Sequence, residues 1–224
     1  MKFNISGLYL VTPDCDDTEK LCAQVKLAIS GGSALVQYRH KTADEALRLE
    51  QGSALLKICR LANIPLLIND HVTLAARLDA DGVHVGQHDA AVLDARAALG
   101  KDKIIGSSCY NQLALARQAQ ADGADYAAFG ACYPSPTKPH APRASVELFT
   151  EAIQTLFIPL VGIGGITLDN ASPLIAAGAQ ALAVISDVFQ APDITARCQA
   201  YQALFASTQL PPSDTIAKVA IANV

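Results

Sequence analysis

Eight short apolar runs, each followed by a helix-like segment, recur along the chain at spacings of roughly 20 to 30 residues. That alternation limits the available folds more than any other feature. The strand-like runs fall at 7–12, 34–39, 65–68, 82–86, 103–107, 126–131, 159–163 and 181–185. Helical patterns occupy 16–30, 43–61, a short stretch after 70, 90–99, 112–121, 146–156, 169–177 and 192–205. Repeated strand–helix–strand units imply right-handed crossovers and a parallel sheet. Eight such units predict an α/β chain closed into a (β/α)8 TIM barrel, with a doubly wound open sheet as the competitor. The 224 residues suit one such domain, expected over 1–210, with a tail at 211–224 that leaves the barrel at Pro211-Pro212-Ser213-Asp214.

A parallel sheet buried on both faces needs aliphatic strands. The composition agrees: 51% of residues are hydrophobic, only 5% are aromatic, and there is no Trp. The net charge of −4 argues against a nucleic-acid partner, which requires a basic face. The six cysteines are scattered without a Cys-x-x-Cys pair, which reads as thiols in a reducing compartment rather than zinc ligands. Met1-Lys2-Phe3-Asn4-Ile5-Ser6 lacks an apolar signal core, and no run reaches the ~18 apolar residues of a membrane span. The expectation is a cytoplasmic protein with small-molecule partners and no membrane partner; a homo-oligomer is left open.

In a (β/α)8 barrel the chemistry sits at the C-terminal ends of the strands. Polar residues gather there repeatedly. Strand two ends in Gln37-Tyr38-Arg39-His40-Lys41, strand three in Asn69-Asp70, and strand five in Ser107-Ser108. The turn after strand four holds Gln87-His88-Asp89. Gln37, Arg39 and Lys41 alternate at period two, so a continuing strand would aim all three at the barrel mouth. Two inward cations want a phosphate or a carboxylate cluster; the alternative is an exposed charge pair. After strand six, Pro134, Pro136 and Pro139 stiffen a loop carrying Ser135, Thr137 and Lys138. Such a loop suits an anion, because little ordering entropy is lost on binding; it also suits a solvated connector. Asp70 and Asp89, brought together beside phosphate oxygens, would make a Mg²⁺ site; each could instead cap the helix that follows it. The glycines around Gly164-Gly165, with the end of strand eight at Ile185-Ser186, fit a phosphate subsite of backbone N–H groups or a simple turn. His84 is expected to pack within its strand. No Ser-His-Asp arrangement and no activated cysteine is visible.

These segments, in this order, resemble thiamine-phosphate synthases over roughly residues 5 to 206. The resemblance rests on Gln37-x-Arg39-x-Lys41, Asn69-Asp70, Gly86-Gln87-x-Asp89, the loop through Pro136-Thr137-Lys138, Gly162-Ile163-Gly164-Gly165-Ile166 and Ala183-Val184-Ile185-Ser186. It implies a transferase that joins a hydroxymethylpyrimidine diphosphate to a thiazole phosphate, releasing pyrophosphate. It further implies that Gln37, Arg39, Lys41, Asn69 and Lys138 hold the pyrimidine diphosphate, with Arg39, Lys41 and Lys138 as the catalytic cations. Ser108 would contact the diphosphate, and Asp70 and Asp89 would bind Mg²⁺. Ser135, Thr137, Gly165, Ile185 and Ser186 would line the thiazole phosphate site. Two departures stand out. Ser135 replaces a common Thr, and Cys109-Tyr110 follows Ser108 where the family more often has Thr-His. A related thiazole tautomerase and a non-catalytic precursor-binding barrel are the competing functions.

Overall fold

A computed structural model describes residues 5–86, 92–134 and 143–208 of the chain. Eight parallel strands close a barrel in the order of the sequence. They are β1 (Gly7–Val11), β2 (Leu35–Tyr38), β3 (Leu66–Asn69), β4 (Gly82–Val85), β5 (Ile104–Tyr110), β6 (Tyr126–Phe129), β7 (Leu160–Ile163) and β8 (Ala181–Val184). The helices between and after them are α1 (Thr18–Ser30), α2 (Glu45–Ala62), α3 (Val72–Leu78), α4 (Val92–Leu99), α5 (Leu113–Ala121), α6 (Val146–Ala152), α7 (Leu168–Ala176), α8 (Ser186–Phe189) and α9 (Ile194–Ser207). The open-sheet alternative is excluded by the pairing of β1 with β8, from Gly7 opposite Ala181 to Leu10 opposite Val184.

The strand pleat sorts each run into two layers. Inward positions form a barrel-filling cluster of Tyr9, Val11, Leu35, Leu67, Ile104, Tyr126, Ala128, Val161, Ala181 and Ala183, with Ile5 at its base. Outward positions such as Leu8, Leu10, Val36, Leu66, Ile68 and Val83 pack under the helices with Leu21, Val25, Leu55, Phe149 and Leu174. Because both faces are covered, the strands read as continuous apolar runs rather than alternating ones.

Acidic and amide side chains just before even-numbered strands close the N-terminal face. Asp81 accepts the Leu66 N–H, Asp125 the Ile105 N–H and Gln180 the Leu160 N–H, at 2.9, 2.8 and 2.7 Å. Each satisfies a donor on the preceding strand that a ladder bond does not reach. Arg96 adds a bracket there, donating to the Gly100, Lys103 and Gly123 carbonyls and pairing with Asp125 at 2.6 Å. Helix starts follow ordinary capping chemistry: Asp17, Asp44 and Asp193 each accept the N–H three residues on.

The differences from sequence expectation are local. β5 runs to Tyr110 through an irregularity between Ser108 and Tyr110. β6 stops at Phe129 because the next residues turn to bond β7's end, with Cys132 N–H on the Ile163 carbonyl at 2.9 Å. The short α8 interrupts the link from β8 to α9 and has no apolar period long enough to announce it. The tail at 211–224 lies outside the described residues.

Candidate active site

Arg39 and Lys41 stand just past β2, whose last residue is Tyr38. The pleat therefore aims only Gln37 into the barrel; loop contacts aim the other two. Thr12, wholly buried after β1, clamps the Arg39 backbone on both sides. Its Oγ1 donates to the Arg39 carbonyl at 2.9 Å and accepts the Arg39 N–H at 2.8 Å. Asp14 then organises both cations: its Oδ1 lies 3.4 Å from Arg39 Nη1 and accepts the Lys41 N–H at 2.9 Å. Between them His40 is buried, with Nδ1 accepting the Ala43 N–H at 3.0 Å and Nε2 3.1 Å from Asp16. That assigns the Nε2–H tautomer and pins the β2–α2 loop.

A cavity of about 210 Å³ opens beside this loop, between the ends of β2 and β3. It is lined by Lys41, Asn69, Asp70, His40, His71, Arg48, Tyr38 and Ile68. Three residues singled out from sequence, Lys41, Asn69 and Asp70, thus meet in one place. Asp70 adopts a left-handed backbone (φ 63) and its Oδ2 accepts from Asn69 Nδ2 at 2.5 Å. The N-cap of α3 is His71, so Asp70 does not occupy the capping position open to it from sequence. Arg48 brings a third cation to this cavity, and its buried Nε has no hydrogen-bond partner among the described residues. Sequence reasoning missed Arg48. Its position one turn into an amphipathic helix looks like an ordinary solvated charge, and only the cavity distinguishes it.

A second group of polar side chains crosses the barrel interior. Gln37 Nε2 donates to Tyr9 Oη at 2.5 Å, and Tyr9 Oη lies 2.7 Å from Tyr126 Oη. Tyr126 Oη is 2.8 Å from His84 Nδ1, and His84 Nε2 is 2.9 Å from Ser108 Oγ. The His84 and Tyr126 rings stack with centroids 5.6 Å apart. Burial takes the His84 imidazole down to about 4 and raises both tyrosine hydroxyls above their usual range. The whole chain is therefore neutral near pH 7. His84 packs as expected, but it also connects two predicted site residues, Gln37 and Ser108.

On the opposite side of the mouth, the loops after β6 and β7 lie against each other. A Cβ on Gly165 (φ +65) would come within 2.6 Å of the Tyr133 and Pro134 carbonyl oxygens, and one on Gly164 (φ +98) within 2.8 Å of Ala131. The glycines are thus required by a protein backbone passing over them. Tyr133 Oη donates to the Asn170 carbonyl at 2.6 Å, and Asn170 Nδ2 donates to the Gly165 carbonyl at 3.0 Å, fixing where the proline loop leaves the barrel. Ile185 and Ser186 follow directly, Ile185 as the N-cap of α8 and Ser186 as its first residue. Asp89, Ser135, Thr137 and Lys138 lie outside the described residues.

Comparison with known proteins decides the family. The family model described as "Thiamine monophosphate synthase" matches residues 8–188. The thiamine-phosphate synthase of Methylobacillus flagellatus is 55% identical over 201 residues, covering 90% of this chain and 96% of the relative. The chain belongs to the thiamine-phosphate synthase family. The thiamine-phosphate synthase of Aromatoleum aromaticum is 53% identical over 90% of this chain and 97% of its own length. The solved thiamine phosphate pyrophosphorylase of Pyrococcus furiosus superposes with a TM-score of 0.81 at 30% identity, covering 90% of this chain and 96% of its own.

Within a thiamine-phosphate synthase framework the departure at Cys109-Tyr110 falls at the C-terminal end of β5, directly after Ser108. Cys109 is buried in the sheet–helix layer, and Tyr110 is 37% exposed beyond the β5 irregularity. Cys109 Sγ donates to the Ser107 carbonyl at 3.6 Å, and the Ser108 hydroxyl keeps its bond to His84. The buried thiols are also poor nucleophiles, since desolvation pushes Cys59, Cys132 and Cys198 up to about 12 and Cys109 to about 11. No group of three or more His, Cys, Asp or Glu residues is arranged to hold a metal among the described residues, and no described helix is long and apolar enough to cross a membrane.

Proposed function

We propose that the chain condenses a pyrimidinylmethyl diphosphate with a thiazole phosphate at the C-terminal mouth of the barrel, giving thiamine phosphate and pyrophosphate by a dissociative route. The C–O bond between the methylene carbon and the diphosphate breaks, and its electron pair leaves with pyrophosphate. The lone pair of the thiazole nitrogen then forms the C–N bond to the methylene cation. No proton is transferred in either step, which agrees with a site whose buried histidine is neutral and hydrogen-bonded on both nitrogens.

The observation that carries this reading is the gathering of cations and a carboxylate at the ends of β2 and β3. Asp14 pairs with the Arg39 guanidinium and accepts the Lys41 backbone N–H, while Lys41, Arg48, Asn69 and Asp70 share one cavity. Negative charge accumulates on the leaving diphosphate, and fixed cations stabilise it without solvent reorganisation. In this reading Lys138 reaches the same diphosphate from the proline loop, and Asn69 and Gln37 orient the pyrimidine. Ser135, Thr137, Gly165, Ile185 and Ser186 take the thiazole phosphate, with α8 supplying the short helix that follows β8 in many barrel phosphate sites. Asp70 fits a Mg²⁺ ligand: it is a half-buried hard oxygen donor in the cavity that holds Lys41. Asp89 would be its companion. When bound, Mg²⁺ neutralises diphosphate charge, which these residues alone do only in part.

The test supplies both substrates with Mg²⁺ and follows pyrophosphate. Release only when both are present is the expected result. Isomerisation of the thiazole alone would favour a tautomerase, and tight binding without turnover a ligand sensor. Asp70→Asn is expected to raise the Mg²⁺ concentration for half-maximal rate by at least about 10-fold, as when a contact supporting a bound metal is lost. An unchanged Mg²⁺ titration would return Asp70 to a purely structural role at the β3 turn.

A further inference from the structure

We infer that Tyr9, Tyr126 and His84 are positioning residues that fix the direction of the interior hydrogen-bond chain, so that Ser108 presents its hydroxyl proton to the diphosphate. The inference deepens the proposed function, since it rests on Ser108 touching that substrate.

The direction follows from counting hydrogens. Gln37 donates to Tyr9 Oη, so the Tyr9 proton must go elsewhere. Its other polar neighbour is Tyr126 Oη, at 2.7 Å. Tyr126 then accepts from Tyr9 and has one proton of its own. His84 Nδ1, 2.8 Å away, is the acceptor for it. A neutral imidazole that accepts at Nδ1 carries its proton on Nε2. That proton points at Ser108 Oγ, 2.9 Å away. Ser108 thereby accepts from His84 and keeps its own O–H to donate. Running the middle of the chain the other way strands the Tyr9 proton in the core, and a buried unsatisfied hydroxyl is costly.

A complete reversal requires Gln37 to turn its carbonyl toward Tyr9. Ser108 would then spend its proton on His84 Nε2 and face the mouth as an acceptor. Phosphate oxygens accept and do not donate, so that arrangement sets two acceptors against each other. The ligand chemistry and the amide orientation therefore select the same direction independently. Burial keeps all three middle groups neutral, which holds the chain in its singly protonated form. The tyrosines reach no substrate themselves; Tyr9 and Tyr126 are fully enclosed. They act through His84 and Ser108.

Two measurements test this. In enzyme labelled with ¹⁵N-histidine, and assigned by comparison with His84→Gln, the His84 resonances are expected to report an unprotonated Nδ1 and a protonated Nε2. A protonated Nδ1 would overturn the inference whether or not the enzyme turns over. The second is a kinetic double-mutant cycle with Tyr126→Phe and Ser108→Ala. Tyr126→Phe is expected to lower kcat/KM for the pyrimidine diphosphate roughly 3- to 10-fold, the value of one neutral hydrogen bond. The KM for the thiazole phosphate is expected to stay unchanged. In the Ser108→Ala background the same substitution is expected to do nothing; an undiminished effect there would show that Tyr126 does not act through Ser108. If Tyr126→Phe folds poorly, the His84 tautomer reading decides alone. His84→Gln, which keeps an amide N–H near the Nε2 position, is expected to retain more activity than His84→Asn, and the reverse order would count against the assigned tautomer. An Nε2–H histidine in a chain that releases no pyrophosphate would leave the direction intact and remove the proposed function instead.

Discussion

Arg39→Ala is expected to cut turnover by about 10²- to 10³-fold while leaving the barrel folded, the range typical for loss of one preorganised group that stabilises developing negative charge. The Arg39 side chain is 22% exposed and its ion pair with Asp14, at 3.4 Å, sits at the rim. Surface pairs of this kind contribute about 0–1 kcal/mol, so little stability is at stake. The backbone clamp from Thr12 is unaffected, because it holds the Arg39 N–H and carbonyl rather than the guanidinium. The asymmetry between a small stability loss and a large rate loss is therefore the expected signature. Arg39→Lys restores the charge but not the planar fork, and is expected to recover only part of the rate. Equal turnover in wild type and Arg39→Ala, measured as pyrophosphate release at saturating substrates, would reassign Arg39 to an exposed charge pair with Asp14.

The same clamp explains what sequence could and could not say about this site. Period-two spacing placed Gln37, Arg39 and Lys41 on one side, yet β2 ends at Tyr38. The pleat decides only Gln37; Thr12 and Asp14, from the turn after β1, decide the rest. Such contacts join residues some 25 positions apart, and no local pattern encodes them. The barrel was legible because its signal is local and repeated eight times: a short aliphatic run, then a turn, then an amphipathic helix. Placement of the chemistry at the strand ends followed from the fold itself. The Asn69–Asp70 turn and the Ser186 start of α8 were visible as polar residues ending apolar runs. The Tyr9–Tyr126–His84 chain was not, since an aromatic residue inside an apolar run reads as packing. Only closure of the barrel brings positions 9 and 126 together, 117 residues apart in sequence.

Closure also makes the barrel interior intolerant of one added methyl group. Gly106→Ala is expected to be the most damaging small substitution near the site. A Cβ there would lie 1.9 Å from Tyr126 Cζ and 2.2 Å from its hydroxyl. A loosely held ring would swing aside, but Tyr126 is fully buried, stacked on His84, edge-on to Tyr9 and hydrogen-bonded to both. Displacing it overpacks the core, at about 1–3 kcal/mol. It also leaves the Tyr9 hydroxyl and His84 Nδ1 without their partner, at about 1–3 kcal/mol for each buried unsatisfied group. The combined loss consumes much of the 5–15 kcal/mol that typically separates folded from unfolded chains. Soluble yield and Tm are therefore expected to fall sharply. Shrinking the ring tests whether this contact is the cause. Tyr126→Val costs stability in the wild-type background by opening a cavity, but beside Ala at position 106 it removes the clash. The two substitutions are thus expected to be strongly non-additive, with the double variant more stable than the sum of the singles predicts by more than about 1 kcal/mol. Simple additivity in denaturant unfolding would mean that the methyl group is accommodated elsewhere, and that Gly106 does not make the seat in which Tyr126 is held.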